Sequence, residues 1–170
     1  MINQVLSFEI GKRCNQQHLN FYAVDDSGME KKMSISARNQ LTGKIESIQE
    51  GAVNAIVTLK LAGGNNITST ISMEAVKDLG LVAGKEATAV IKATEVMIGI
   101  GDLKFSARNQ LAGEIVKVTE GAVNASVAFK TDGGNTITAT ISMAAVKELG
   151  LAPGVKAKAV IKATSVMMAV

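Results

Sequence analysis

The 170-residue sequence is poor in several residue types that many functions require. It contains one cysteine, one histidine, one proline and no tryptophan. A lone cysteine excludes an internal disulfide and fits a reducing cytosol. No apolar run approaches the roughly 20 residues of a membrane span, and residues 1–10 lack the basic region and apolar core of a secretory signal. We therefore expect a soluble chain with no membrane as a partner.

Aromatic residues and clustered positive charges are also scarce. Phe, Tyr and Trp make up 3% of the chain, and the net charge of +3 arises from Lys and Arg spread along it. A protein that binds single-stranded nucleic acid needs aromatic platforms for stacking, and a polyanion binder needs a basic face. Both absences argue against nucleic acid as a partner.

Most of the chain is instead one unit written twice. The segment Ser36–Leu41 recurs as Ser106–Leu111, and 41 of 65 positions stay identical at this constant offset. A period this long exceeds that of solenoid repeats and indicates two tandem domains, each a complete folding unit. We place the first repeat at 33–100, a linker at 101–105 and the second repeat at 106–170. Residues 1–32 match neither repeat and form an N-terminal extension of unknown role.

Alternation of apolar and polar residues predicts short strands in each repeat. In the first repeat, one strand runs through 41–46 and a second through 52–61, with Val53 on the apolar face of the second. Gly63-Gly64-Asn65 then supplies a tight turn into a third strand at 67–71.

A short helix is expected after the third strand. Ser72 is the predicted N-cap of a helix over 73–79, and Gly80 ends this helix in a left-handed conformation. Strands at 86–92 and 95–100 complete the repeat. Five strands with a helix between the third and fourth have the order of an OB-type barrel. Strand counting also fits another small barrel, so the residues themselves predict an all-β fold with one short helix per domain, and we interpret it as two tandem OB-like five-stranded barrels.

The N-terminal extension gives weaker signals. Apolar stretches at Val5-Leu6 and 21–24 predict two strands joined by polar turns. Cys14 and His18 lie four positions apart, which fits half of a metal site, but no second pair accompanies them. We interpret them as unrelated residues and expect no site for a bare metal cation.

The repeats offer no catalytic set of side chains. They contain neither histidine nor cysteine, which excludes a nucleophile activated by histidine. Glu50 and Glu120 are matching acids, but each begins a turn, and we interpret them as turn or interface residues. We expect a binding protein and not an enzyme.

Both repeats contain hydrogen-bond donors without matching carboxylates. Arginine offers a planar fork to paired oxygens, lysine a point charge, and serine a neutral hydroxyl. Singly, each residue also fits a structural role in a turn, a helix cap or a solvated surface. Together they favour a small oxyanion over a large organic ligand. The set comprises Ser36, Arg38, Ser72, Lys92, Ser106, Arg108, Ser142 and Lys162.

Several motifs resemble the Mop domain of molbindins, in its tandem, di-Mop form. They are Ser-Ala-Arg-Asn-Gln, Glu-Gly-Ala-Val-Asn-Ala, the Thr-Ile-Ser before the helix, and Ile-Lys-Ala-Thr, and the likeness covers residues 33–170. The resemblance implies an OB-like barrel that exchanges strands with its neighbours. It also implies a homotrimer of two-domain chains, and cytoplasmic binding of molybdate or tungstate between subunits without any cofactor.

The same resemblance implies which residues bind the oxyanion. The Ser-Ala-Arg segment of one domain would meet a serine, a lysine and an alanine of a partner. The implied oxyanion-binding residues are Ser36, Ala37, Arg38, Ser72, Lys92, Ala93, Ser106, Ala107, Arg108, Ser142, Lys162 and Ala163. A further site near a three-fold axis would involve Val53, Asn54, Val123 and Asn124.

Two functions remain open. One is storage, buffering or homeostasis of molybdate and tungstate; the other is an oxyanion-sensing or adaptor module in which residues 1–32 contact a protein partner. The sequence shows no helix-turn-helix pattern and no Walker motif, which favours a free-standing binder. Val90 and Val160 lie opposite the alanine-rich faces of their strands, and two apolar faces predict an oligomer of at least three chains.

Overall fold

The computed structural model describes residues 10–15, 18–24, 30–33, 35–102 and 104–170, with side chains from residue 35 onward. These residues form three antiparallel sheets, one of three strands and two of five. The chain divides into two compact units, residues 1–36 and 37–170. Within the described residues, both α-helices have only six residues, and no helix is long and apolar enough to span a bilayer.

The N-terminal unit is a three-stranded meander. Its strands are β1 (Ile10–Asn15), β2 (His18–Val24) and β3 (Glu30–Met33), in the order β1-β2-β3. The apolar stretch at 21–24 lies in β2, as predicted, whereas Val5-Leu6 lies outside the described residues. Sequence reasoning missed β1 and β3 because neither shows the alternation of apolar and polar residues that marks a half-buried strand.

Each repeat builds four strands of a curled five-stranded sheet, which confirms the predicted fold class. The first repeat forms β4 (Asn39–Glu50), β5 (Asn54–Leu61), β6 (Asn66–Ser72) and β7 (Glu86–Ile91). The second repeat forms β9 (Asn109–Glu120), β10 (Asn124–Thr131), β11 (Thr136–Ser142) and β12 (Lys156–Ile161). Burial alternates along β5 and β10, as expected for strands with one face toward a core.

The helices begin and end where local sequence predicts. Helix α1 (Met73–Asp78) is capped by Ser72, whose Oγ accepts from the Ala75 backbone N–H at 3.1 Å. Gly80 follows with a φ of 54°, a left-handed conformation that favours glycine. Helix α2 (Met143–Glu148) repeats this arrangement in the second repeat.

The last strand of each repeat crosses to the other repeat's sheet. A 3₁₀ turn follows β7 at Ala93–Glu95 and β12 at Ala163–Ser165. Strand β8 (Met97–Gly99) then pairs with β12, and β13 (Met167–Ala169) pairs with β7. The sheet orders are β13-β7-β4-β5-β6 and β11-β10-β9-β12-β8. Neither repeat therefore completes a five-stranded sheet alone, so the expectation that each repeat is a complete folding unit was wrong.

The core corrects two details of the sequence interpretation. Val53 was expected on the apolar face of a strand that begins at residue 52. Strand β5 instead begins at Asn54, so Val53 lies in the preceding turn and is 72% exposed, as is Val123. The apolar residues on both faces of β7 and β12 are buried within one chain, with Val90 at 5% and Val160 at 2% exposure. Their burial therefore gives no argument for additional subunits.

Candidate functional site

Two cationic residues that were predicted to bind the oxyanion lie at the same end of one pair of strands. Asn109 pairs with Ile161 in the β9–β12 ladder, so Arg108 precedes one strand where Lys162 follows the other. The pair Asn39 and Ile91 places Arg38 and Lys92 in the same way in the first sheet. Spacing in the sequence cannot show this proximity, because it arises only when antiparallel strands pair.

A cavity of about 450 Å³ opens at this end of the second sheet. Five of the six oxyanion-binding residues expected in the second repeat line it, whereas Ser142 does not. Its lining contains both positive charges and no carboxylate. The lining residues are Thr70, Met97, Phe105, Ser106, Ala107, Arg108, Val160, Lys162, Ala163 and Thr164.

The two cations of this cavity lack partners. Within the part of the chain whose side chains are described, the charged groups of Arg108 and Lys162 make neither a hydrogen bond nor an ion pair. Two unneutralised positive charges beside hydroxyl groups create a positive potential, and such an environment attracts an anion. The arrangement can hold an anion but offers no general base for catalysis.

A buried asparagine of the second repeat binds a strand of the first repeat next to this cavity. Asn109 is 2% exposed, accepts from the Thr68 N–H through Oδ1 at 2.7 Å, and donates through Nδ2 to the Thr68 carbonyl at 2.8 Å. Two residues further along β6, Thr70 lines the cavity. The site thus combines donors from both repeats within a single chain.

The corresponding residues of the first repeat make equivalent contacts with the second repeat. Asn39 accepts from the Thr138 N–H at 2.7 Å and donates to the Thr138 carbonyl at 2.9 Å. Arg38 Nη1 donates to Thr140 Oγ1 at 3.1 Å, and Thr140 is the counterpart of Thr70. Ala37 and Ala93 are buried, whereas Lys92 is exposed. Ser36 belongs to the N-terminal unit.

Comparisons with known proteins agree with the tandem fold. The TOBE domain matches residues 35–98 and again residues 106–168. The chain belongs to the TOBE-domain family. A solved structure of the cytoplasmic molybdate-binding protein ModG, with molybdate bound, superposes with a TM-score of 0.78 at 44% identity, covering 81% of this chain and 99% of ModG. The tandem OB-like fold of the two TOBE repeats is therefore shared with a solved relative.

Curated relatives of the TOBE repeats have related names. A probable molybdenum-pterin-binding protein of Haemophilus influenzae is 60% identical over 68 residues, which cover 40% of this chain and 99% of that protein. The molybdenum transport protein ModE of Azotobacter vinelandii is 39% identical, and the molybdenum-pterin-binding protein MopA of Rhodobacter capsulatus is 38% identical. Each of these two alignments covers 81% of this chain, which spans only 52% of either relative.

Sequence reasoning missed three threonines and two apolar residues at the candidate site. Thr164 ends the Ile-Lys-Ala-Thr motif of the second repeat and lines the cavity. Thr70 and Thr140 lie in Thr-x-Thr segments that occur in both repeats, and this repetition was the available signal. Met97 begins β8 and Phe105 ends the linker between the repeats, and neither carried a chemical signal. These five residues can be recognised as part of the site only in the folded structure, because the exchange of strands between the repeats brings them there.

The remaining predicted residues lie elsewhere in the TOBE repeats. The hydroxyls of Ser72 and Ser142 accept from the N–H groups of Ala75 and Ala145, at 3.1 and 3.2 Å, as helix caps. Each Val-Asn pair expected near a three-fold axis, Val53-Asn54 and Val123-Asn124, lies where the long first strand of a repeat turns into the next strand. The Val53 and Val123 carbonyls accept from the first residue of α1 and α2, respectively, at 2.9 Å.

A second cavity of about 450 Å³ offers a contrast within the second TOBE repeat. Its lysines already have acidic partners: Lys158 lies 3.9 Å from Asp102, and Lys156 Nζ donates to Glu114 Oε2 at 2.9 Å. That hydrogen bond and the attraction of opposite charges lower the pKa of Glu114 and raise the pKa of Lys156. Because its charges are compensated, this cavity lacks the positive potential of the first.

Proposed function

We propose that this protein binds molybdate, and tungstate as a tetrahedral oxyanion of the same charge, in the cavity that contains Arg108 and Lys162. The observation that carries this proposal is the pairing of two unneutralised cations with a lining free of carboxylates. The match to molybdate-bound ModG along 81% of the chain supports the identity of the anion.

The chemistry of the lining fits a tetrahedral dianion. One arginine and one lysine balance two negative charges, and each charged hydrogen bond contributes about 1.5 to 3 kcal/mol. The hydroxyls of Thr70, Ser106 and Thr164 supply neutral donors for the remaining oxygens. Without a carboxylate to accept a proton, the site prefers a fully deprotonated oxyanion over protonated phosphate.

The biological role that follows is intracellular storage, buffering or homeostasis of the oxyanion, performed by a cytoplasmic binding protein and not by an enzyme. We propose that the chain assembles as a homotrimer of two-domain chains. This assembly would cover Val53 and Val123, each 72% exposed in the single chain, at the contacts between subunits. In such an assembly, the remaining residues of the two expected sites would act from neighbouring subunits.

A sensing or adaptor role is the second candidate. It is favoured by the N-terminal three-stranded sheet, which forms a compact unit of its own. A folded unit that is separate from the oxyanion-binding repeats provides its own surface for a protein partner.

Removal of the arginine from both repeats tests the proposal. In the variant Arg38→Ala, Arg108→Ala, the affinity for molybdate should fall about tenfold to a hundredfold at each affected site, because a charged hydrogen bond is lost and 1.4 kcal/mol corresponds to one decade. Titration calorimetry with molybdate, tungstate, sulfate and phosphate measures this change.

A matched control removes two other cations from equivalent positions. Lys77 and Lys147 lie in α1 and α2, outside the cavity lining, and the variant Lys77→Ala, Lys147→Ala changes the net charge equally. Its isotherm should match that of the parent protein. Equal isotherms for the arginine variant and the parent, with the fold intact, would remove the assignment.

A further inference from the structure

We propose that the ring of Phe105, which packs against Gly99, forms an apolar wall of the second repeat's cavity and makes the chain's two oxyanion sites unequal. This inference rests on the proposed function, because it concerns the release of the same anion. It identifies a residue in the linker between the repeats that controls exchange of the ligand.

The Phe105 ring lies close to the backbone of β8 at Gly99. A Cβ atom built on Gly99 would lie 3.2 Å from both Cε2 and Cζ of Phe105, and 3.8 Å from Cγ2 of Val160. Such a contact is tighter than usual, so an added methyl group would shift the ring by a few tenths of an ångström, and glycine lets the ring lie this close to the backbone. Although it belongs to a linker, Phe105 is only 37% exposed.

A hydrogen-bonded brace holds the segment that carries the ring. Gln110 Nε2 donates to the Phe105 carbonyl at 3.1 Å and to the Ala107 carbonyl at 3.0 Å. Ser106 lies between these two residues and lines the cavity beside Arg108. Gln110 is therefore a positioning residue, since it fixes both the wall and the adjoining oxyanion donors.

The first repeat differs at both positions of this pair. Ile35 stands at the position equivalent to Phe105, and Ala169 at the position equivalent to Gly99. The site of the second repeat thus combines an aromatic residue with glycine, whereas the equivalent positions of the first combine a smaller aliphatic residue with alanine. Such a difference at both positions is expected if Phe105 and Gly99 act together.

The wall changes the environment of the charges. Phe105 and Met97 contribute apolar surface to the same cavity that Arg108 and Lys162 line. An apolar wall excludes water from one side of a bound anion, which strengthens its attraction to Arg108 and Lys162. The anion is therefore held more tightly and released more slowly at the second repeat than at the first.

The test measures molybdate binding by calorimetry and molybdate release by stopped-flow exchange in the full chain. The parent protein should show a slow and a fast class of sites. Phe105→Ile introduces the first repeat's residue, and Gly99→Ala should displace the ring without removing it. Each should accelerate only the slow class, by about threefold to tenfold, which corresponds to at most about 1.4 kcal/mol.

Coupling and control variants separate the wall from a general effect on folding. The double variant Gly99→Ala, Phe105→Ile should release molybdate no faster than either single variant, because both act through one ring. Ala169→Gly makes the reverse change at the equivalent position and should leave the slow class unchanged. If Gly99→Ala does not fold, Phe105→Ile decides the question alone.

The outcomes distinguish the inference from the function on which it depends. Two classes of sites, with the slow class lost in the variants, support the wall. Molybdate binding at equal sites that Phe105→Ile leaves unchanged would overturn the wall while the proposed function stands. An absence of molybdate binding to the parent protein would overturn both.

Discussion

At the scale of single residues, one buried asparagine in each repeat connects chemistry to folding. The side-chain amides of Asn39 and Asn109, each 2% exposed, both donate to and accept from one backbone residue of the other repeat. An amide is suited to this role because it carries a donor and an acceptor side by side. The same contact places Thr70 or Thr140 beside the arginine that precedes the asparagine.

Replacement of this asparagine should therefore cost stability. In Asn109→Ala, the Thr68 N–H and carbonyl lose their partners in a partly buried position, and the free energy of unfolding should fall by about 1 to 3 kcal/mol. Urea unfolding measures this loss. Asn66 provides the control: its Nδ2 donates to Glu46 Oε2, at 2.9 Å on the exposed surface, so Asn66→Ala should change the free energy by at most about 0.5 kcal/mol. Equal midpoints for the two variants would contradict a structural role for Asn109.

The residues that sequence reasoning identified differ physically from those it missed. Ser72 and Gly80 were predicted correctly because a helix cap and a left-handed helix end depend on the nearest residues. Asn109 occurs in a quoted motif, but its role depends on Thr68, 41 positions away in the other repeat. Long-range contacts of this kind are created by the fold and leave no local pattern.

At the scale of elements, the exchanged strands β8 and β13 unite the two repeats. Each has only three residues and pairs with the edge of the other repeat's sheet. Alternation along the sequence predicted a strand near 95–100, and β8 lies within that range. Alternation identifies the faces of a strand but not its neighbour, so the residues alone did not indicate which sheet it joins.

Deletion of β13 should damage the first sheet, although the deleted residues belong to the second repeat. Without residues 167–170, the β7 backbone at Thr88–Val90 loses its partners and becomes an open edge. Hydrogen exchange in this segment should accelerate at least about tenfold, which corresponds to 1.4 kcal/mol of local stability. Mass spectrometry of peptic fragments measures the exchange.

The control for this deletion is the removal of Val170 alone, which is 42% exposed and lies beyond β13. It should leave exchange in both sheets unchanged. Faster exchange in β12 with full protection of β7 would show that the strands are not exchanged in solution.

At the scale of the whole molecule, the two repeats form one folding unit and the N-terminal sheet another. The buried apolar cluster contains residues from Leu41 to Met168 and combines both repeats. Because β8 and β13 cross between the sheets, a perturbation in either repeat should affect both. The matched TOBE segments begin at residue 35, after the last strand of the N-terminal sheet.

Removal of residues 1–32 should therefore leave folding and molybdate binding intact. The shortened chain retains the entire apolar cluster, the exchanged strands and every residue that lines the cavity. Its thermal transition should stay cooperative, and its molybdate affinity should remain within about twofold of the parent value, less than 0.5 kcal/mol. Loss of the cooperative transition would place the extension in the core. A partner captured by the full chain only with molybdate, and not by the shortened chain, would instead identify the extension as the surface of a sensing or adaptor module.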